Sequence, residues 1–433
     1  MKKIMLCLVS LLMITSCSHN FETVTYQTKQ KQDFVQTFER TFGKPASNQD
    51  WGFDGVSIVD LTSKASTRGH NVNRNEWEGK FILPPNVTEA EENAVLAELR
   101  KSTVDRDKNL TINWTDFFVY QVHKGTDTYN THENKSMDAV ASDKMNHLQC
   151  GSGTVGADGK QSGFWEHIND FNNGSHTSSW GNIIGATLMV NSSSLNFAYH
   201  NATDSKYHDT YTVIDGATIG YDGFYYICFD FLANGDNEQP ANKNMGVDRN
   251  YNYEDWIVRI SPATFKAAKR IIAEDLAADE GSDFDYNDVV FDATLANEWL
   301  ASENANKLVA HITLRAAGGT MPLYVADKEV HELFGVDTGT MVNTGRVSRP
   351  YVQFTAIIGE PDWSNTKTIK DIPIKVVTNN GEIFLQSNKG EASEKLCVDK
   401  SYVWCSERQP IQDKYPEFPR YVTDRNVQWY QVQ

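Results

Sequence analysis

Phenylalanines at Phe34, Phe38 and Phe42 recur every fourth residue, which puts three rings on one face and predicts a helix over Lys29–Phe42, ended by Gly43 and Pro45. Asn48–Phe53 reads as a fixed turn, and Asp60–Asn75 is polar enough to be a linker. A second helix is predicted from Thr88 to about Lys101, because Thr88 and Glu91 follow Pro84–Pro85 at capping-box spacing. From Leu110 onward the pattern changes to short runs rich in Tyr, Phe, Val, Ile and Thr, separated by Gly, Asn and Asp. These predict strands at Thr115–His123, Gly181–Val190, Phe224–Leu232, Asp255–Ile260, Asp288–Leu295, Lys307–Leu314, Tyr351–Ile358, Ile372–Val377 and Glu382–Leu385. One further short helix is predicted at Pro262–Ala273. Regular turn signals between such runs imply a mainly β fold of antiparallel β-sandwich or jelly-roll-like domains behind a short helical N-terminal segment. The expected division is 1–17, a signal peptide; 18–75, a helical stalk and linker; 76–205, a β-rich domain with one helix; and 206–433, a β-sandwich domain.

The first seventeen residues modify that picture. Lys2–Lys3, an apolar run from Ile4 to Ile14 and then Thr15–Ser16–Cys17 have the order of a secretory signal with a small-residue cleavage site. Ile14–Cys17 resembles a bacterial lipobox, in which Cys17 is lipidated and becomes the first residue; cleavage without lipid is the alternative. No later apolar run approaches the roughly 18 residues of a membrane-spanning helix. The expected location is therefore the cell envelope, as an outer-membrane lipoprotein held by its lipid, with the periplasmic and surface-facing orientations both open. The formal charge of -17 disfavours nucleic acid as a partner and favours cations. Cys228 sits in an apolar run and reads as a small buried hydrophobe, whereas Cys397 and Cys405 are open to pairing across a hairpin or to remaining free.

Candidate chemistry concentrates in Ser282–Asp292, where Asp283, Asp285, Asn287 and Asp288 stand just before an apolar strand. Glu274–Asp292 contains eight acidic residues and no Lys or Arg, so no local ion pair neutralises them. Oxygen side chains at alternate positions are how calcium loops begin, since a hard cation takes six to eight oxygens at about 2.3–2.6 Å. An EF-hand is excluded, because its sixth and twelfth positions are Asp288 and Thr294 here in place of Gly and Glu. Missing ligands must come from elsewhere, and Glu274 and Asp275 are the nearest candidates. Asp248, Asn250, Asn252 and Asp255 echo the pattern and mark a possible second Ca2+ site. The alternatives are carboxylates that cap turns or meet Arg and Lys from distant strands. A glycosidase pair is weaker, because neighbours on one segment do not straddle a sugar.

AEDLAADEGSDFDYNDVVFD, LRAAGGTMPLYV, EVHELFGV with MVNTG, and CSERQPIQDKYPEFPRYV occur in that order. Together they resemble the LruC-type C-terminal domain of Bacteroidetes lipoproteins, over roughly Tyr211–Val432, and FVQTFERTFGKPASNQDWGF is similar to the start of such proteins. The resemblance implies that 206–433 is an exported β-rich, jelly-roll-like domain of unsettled function, with calcium suspected at Glu274, Asp275, Asp283, Asp285, Asn287 and Asp288.

Other candidates are weaker. His200 and His208 read as solvated loop residues, and His331–Glu332 lacks the second His of a zinc protease, with Gly335 in its place. Trp165, Trp180, Trp256 and Trp404 are candidates for stacking on sugar or for partial core. The reading is a non-catalytic protein of binding or adhesion, with a glycan or an envelope or matrix protein as partner. A carbohydrate-binding or carbohydrate-active accessory is the alternative.

Overall fold

The computed structural model describes residues 29–62, 79–101, 110–112, 114–124, 148–150, 186–189, 195–197, 210–230, 253–254, 256–275, 282–300, 302–379 and 381–430. Elements are numbered in chain order; β2 (Phe81–Ile82) pairs with β11 (Thr264–Phe265), and β7 (Leu195–Phe197) stands between β3 (Leu110–Ile112) and β5 (Leu148–Cys150). Two compact units emerge, one comprising Met1–Asp60, Ala267–Asn297 and Lys307–Gln433, the other Leu61–Lys266 and Glu298–Asn306.

In the first unit, the expected helix forms over residues 29–42 (α1), and Gly43 ends it with φ 89°. It is not the stalk that its position suggested. Phe34, Phe38 and Phe42 are buried in the same core as the C-terminal strands. The turn after it is stitched to the tail: Trp51 Nε1 donates to Glu391 O at 2.9 Å and Cys397 N donates to Trp51 O at 2.9 Å. A side chain at Gly52 would place its Cβ 2.1 Å from Cys397 O, so only glycine permits this approach.

That core lies between two antiparallel sheets. The six-stranded sheet runs in the order β17 (Val352–Gly359), β14 (Ala305–Ala316), β13 (Val289–Leu300), β12 (Lys269–Ala273) and β20 (Lys395–Val398), with β1 (Val59–Leu61) also on β13. The four-stranded sheet is β16 (Lys328–Glu329), β15 (Leu323–Val325), β18 (Ile374–Thr378) and β19 (Gly381–Phe384). Leu323, Val325, Ile374 and Val376 pack into one cluster with Phe291 and Ile312 of the larger sheet, which is the sandwich expected from the alternating β runs.

The helix expected at Pro262–Ala273 does not form. Ile271, Ile272 and Ala273 are fully buried in β12, laddered on one side to β13 and on the other to β20. Ladder bonds on both edges and β-branched side chains outweigh the weak helical spacing. Asp292 illustrates the second way to bury an acid, because its carboxylate takes Arg270 Nε at 2.8 Å and Arg315 Nε at 2.9 Å from the neighbouring strands. Cys228, Cys397 and Cys405 are all buried free thiols, so the hairpin disulfide is not made. Cys397 is committed to the Trp51–Gly52 turn, and the Cys405 carbonyl receives Asn287 Nδ2 at 3.3 Å.

The second unit has a five-stranded sheet in the order β6 (Ala186–Met189), β4 (Phe117–Lys124), β10 (Trp256–Pro262), β9 (Tyr225–Asp230) and β8 (Thr210–Asp215). β8, β9 and β10 belong to one sheet with β4, so the boundary expected between 205 and 206 cuts through continuous pairing. Helix α2 (Glu89–Leu99) is capped by Thr88, whose hydroxyl accepts Glu91 N at 3.2 Å. The Glu91 carboxylate does not complete a capping box. It is buried, taking Arg259 Nη1 at 2.8 Å and Tyr226 OH at 2.8 Å, while the Arg259 guanidinium lies 4.4 Å from the Tyr120 ring and 4.6 Å from that of Phe224. The ion pair thus fastens α2 to its sheet.

Because Phe38 is 0% exposed inside the first unit, Phe38→Ala is expected to destabilise that unit by about 3 kcal/mol in chemical denaturation. A detached stalk would show no change.

Candidate metal centre

Strand register explains how the upstream acids reach the motif. Ala273 of β12 pairs with Val289 of β13, so the residues just beyond each strand end, Glu274–Asp275 and Asp288, are held side by side. Asp275 N donates to Asp288 Oδ2 at 2.5 Å.

Between these ends, the alternation of acid and aromatic is built into the backbone. Phe284 and Tyr286 both adopt left-handed φ of 53°, a conformation that costs such residues on the order of 1 kcal/mol each. Aromatic burial offsets the strain. The Phe284 ring lies 5.6 Å from Phe34, 5.9 Å from Phe38 and 5.1 Å from Phe42. Tyr286 is fully buried and donates its hydroxyl to Ser393 O at 2.7 Å.

With the rings plugged into the core, Glu274, Asp283 and Asp285 can each offer an oxygen within 4.8 Å of the others. That spread matches oxygens on a sphere of about 2.4 Å radius around one ion, and an all-oxygen donor set suits a hard cation. Glu274 accepts Ser282 Oγ at 2.6 Å and Tyr286 N at 3.1 Å. Asp285 accepts Asn287 N at 3.0 Å and Arg408 N at 2.8 Å. Among the described residues no Lys or Arg side chain forms an ion pair with Glu274, Asp283, Asp285 or Asp288, in contrast to Asp292.

The proton affinities of these acids follow from that arrangement. Burial, then the Asp285 and Asp283 charges, pushes Glu274 well above the ordinary carboxylate range. Burial and then Asp283 push Asp285 up to about 8. Asp288 is raised well above normal by its dense surroundings first and by Asp275 second, although its side chain keeps part of its surface open.

Of the five carboxylates among the six expected ligands, three converge. Asn287 acts as a brace, since its Nδ2 donates to Asp285 Oδ2 at 2.7 Å and its Oδ1 is turned toward Gly318, where a Cβ would lie 2.1 Å away. Gly318 N in turn donates to Asp288 O at 3.0 Å. Asp275 and Asp288 form a neighbouring pair outside the three-carboxylate cluster. Glu407 was not anticipated. Its carboxyl is raised by burial and then by Asp283, and its Oε2 is buried without a hydrogen-bond partner. The only early signal was the order of the tail motif, which says nothing about distance in space.

Asp248, Asn250, Asn252 and Asp255 lie outside the described residues, as do His200, His208, Trp165, Trp180 and the Trp256 side chain. Tyr253, which aligns with Tyr286, nevertheless repeats its conformation with φ 58° and is buried. His331 is a satisfied core residue, with Nδ1 2.8 Å from Glu329 Oε1 and Nε2 3.0 Å from Gly319 O. Trp404 is used internally, donating Nε1 to Asn343 O at 2.9 Å beneath the Arg270 guanidinium.

No protein-family model, no curated protein and no solved structure matches the chain.

Carboxylates with raised folded-state pKa values make the folded chain bind more protons than the unfolded chain between about pH 4 and 8, so stability falls as pH rises through that window. Without divalent cations, urea unfolding is expected to show at least about 2 kcal/mol less stability at pH 8 than at pH 5. Gly318→Ala should destabilise the same unit by more than about 1 kcal/mol through its clash with Asn287, again read by denaturation.

Proposed function

We propose that this chain is an exported, lipid-anchored protein of the cell envelope that acts by binding or adhesion and not by catalysis, with Ca2+ clamping its C-terminal unit. One observation carries the cation: Glu274, Asp283 and Asp285 converge within 4.8 Å, two of them buried, without a basic partner. A divalent ion at this point replaces the protons that the buried acids otherwise hold, and its binding energy adds to folding stability. Carboxylates that converge on one point hold an ion, whereas hydrolysis of a sugar asks for two facing each other across it. The anchor rests on the Lys2–Cys17 pattern, and among the described residues no helix is long and apolar enough to cross a membrane. A carbohydrate-binding role is the second reading, favoured by the exposed indole of Trp363.

Asp283→Asn separates a clamp from a merely strained loop, because Asp283 is the most accessible of the three acids and makes no hydrogen bond that the change would break. In EGTA the variant should melt higher than the wild type, since one source of repulsion is gone. In excess Ca2+ the wild type should gain several degrees and the variant far less. A wild-type midpoint that ignores both EGTA and Ca2+ removes the clamp. Cys17→Ala should move the protein from the membrane fraction to the soluble fraction.

A further inference from the structure

The segment between β17 and β18 is wound around one carboxylate. Asp362 Oδ1 accepts Ser364 N at 3.1 Å, and its Oδ2 accepts Lys367 N at 2.6 Å and Thr366 Oγ1 at 3.2 Å. The Lys367 amide, ahead of the other bonds, holds the Asp362 carboxyl below its ordinary value. The turn is pinned to β13, because Asn297 Nδ2 donates to Asp362 O at 3.0 Å and Asp362 N donates to Asn297 Oδ1 at 2.8 Å. At its far end Thr368 forms a capping box with Asp371.

Residues 363–367 are exposed at the tip of this fixed turn, and Trp363 is 60% exposed, the largest fraction among the described large apolar side chains. Its indole makes no hydrogen bond and no ring contact. A single exposed apolar residue is ordinary. This one differs in being the largest side chain type, held on backbone that is already ordered, so little conformational entropy is lost when something docks on it. Ser364 and Asn365, both uncharged and exposed, follow it in the turn. The one carboxylate of the turn is spent on its own backbone and on the Thr366 hydroxyl, and Lys367 is offset by Asp371, 3.7 Å away.

We propose that the 362–367 turn is a saccharide-binding platform, with the Trp363 ring stacking on the C–H face of a neutral sugar and the exposed Ser364 and Asn365 side chains bonding its hydroxyls. A flat apolar face edged by uncharged donors and acceptors matches a sugar ring, which is apolar on its faces and polar on its rim. The overall charge of -17 argues against anionic ligands. This gives the binding role proposed above a partner of defined chemistry and does not depend on the cation.

The full-length protein is run through native gels containing soluble neutral polysaccharides, a β-glucan, a galactomannan, a xylan and an α-mannan, each with Ca2+ and with EGTA. At least one polymer should retard the wild type. Trp363→Ala should weaken that binding by at least about tenfold, Trp363→Phe should keep part of it, and Ile357→Ser, at another exposed apolar side chain, should keep all of it. Asp362→Ala, which frees the turn, should weaken binding with an unchanged circular dichroism spectrum. The idea is overturned if no polymer retards the protein or if Trp363→Ala binds as the wild type does. It is also overturned if Trp363 is needed only for binding to phosphatidylcholine vesicles, which would make the turn a membrane contact. Trp363→Ala leaves the calcium-dependent melt unchanged, so failure of the platform and failure of the clamp show separately.

Discussion

Buried negative charge at the mouth of the β12–β13 hairpin is the constraint on which the first unit is organised. Three carboxylates converge there without a basic side chain, and an uncompensated buried charge costs several kcal/mol. The fold holds the acids together through the residues between them. Phe284 and Tyr286 are driven into the core by the hydrophobic effect, taking left-handed backbone with them, and the acids are turned to the opposite side as a result. Helix α1, the Gly318–Gly319 approach and the 405–411 segment all touch this loop, the last through Ile411 N to Phe284 O at 2.8 Å. Segments distant in sequence therefore share one electrostatic problem, with protons or a cation as its two solutions.

Asp292, four residues beyond Asp288, shows the contrasting solution. It is about as buried as Glu274 and Asp285, yet two arginines from flanking strands neutralise it. One segment thus contains an acid neutralised by arginines and several that pair with no Lys or Arg side chain among the described residues. A structural ion pair is made once and kept, whereas on the proposed calcium reading carboxylates that exchange protons for a metal let solution conditions set the stability of the unit. In the second unit Tyr253, ahead of β10, is likewise a buried aromatic with left-handed φ.

Most strands were legible in the sequence because runs such as Lys307–Leu314 and Tyr351–Ile358 carry β-branched and aromatic residues between clear turn signals. Phe34, Phe38 and Phe42 likewise announced α1. What they could not announce was their partner, since burial against Phe284 joins residues some 250 positions apart. The same limit hid the division into units, which follows the pairing of β10 with β4, and it made β12 look helical, because two flanking strands decide its state. At the candidate site Asp283 and Asp285 were legible from their alternate spacing and Glu274 from its place just upstream, but which of the acids meet in space was not. Asn287 braces Asp285 through Nδ2 while its Oδ1 stays buried without a hydrogen-bond partner, an arrangement set by Gly318 from another hairpin, and Glu407 was invisible for the same reason.

Calorimetric titration of the EGTA-stripped protein with CaCl2 at pH 7, in two buffers of different ionisation enthalpy, tests the central claim most directly. If buried acids hold protons until a cation arrives, Ca2+ binds and the two apparent enthalpies differ by an amount that corresponds to release of about one proton or more per ion. No binding heat in either buffer, or binding with identical enthalpies in both, would contradict it.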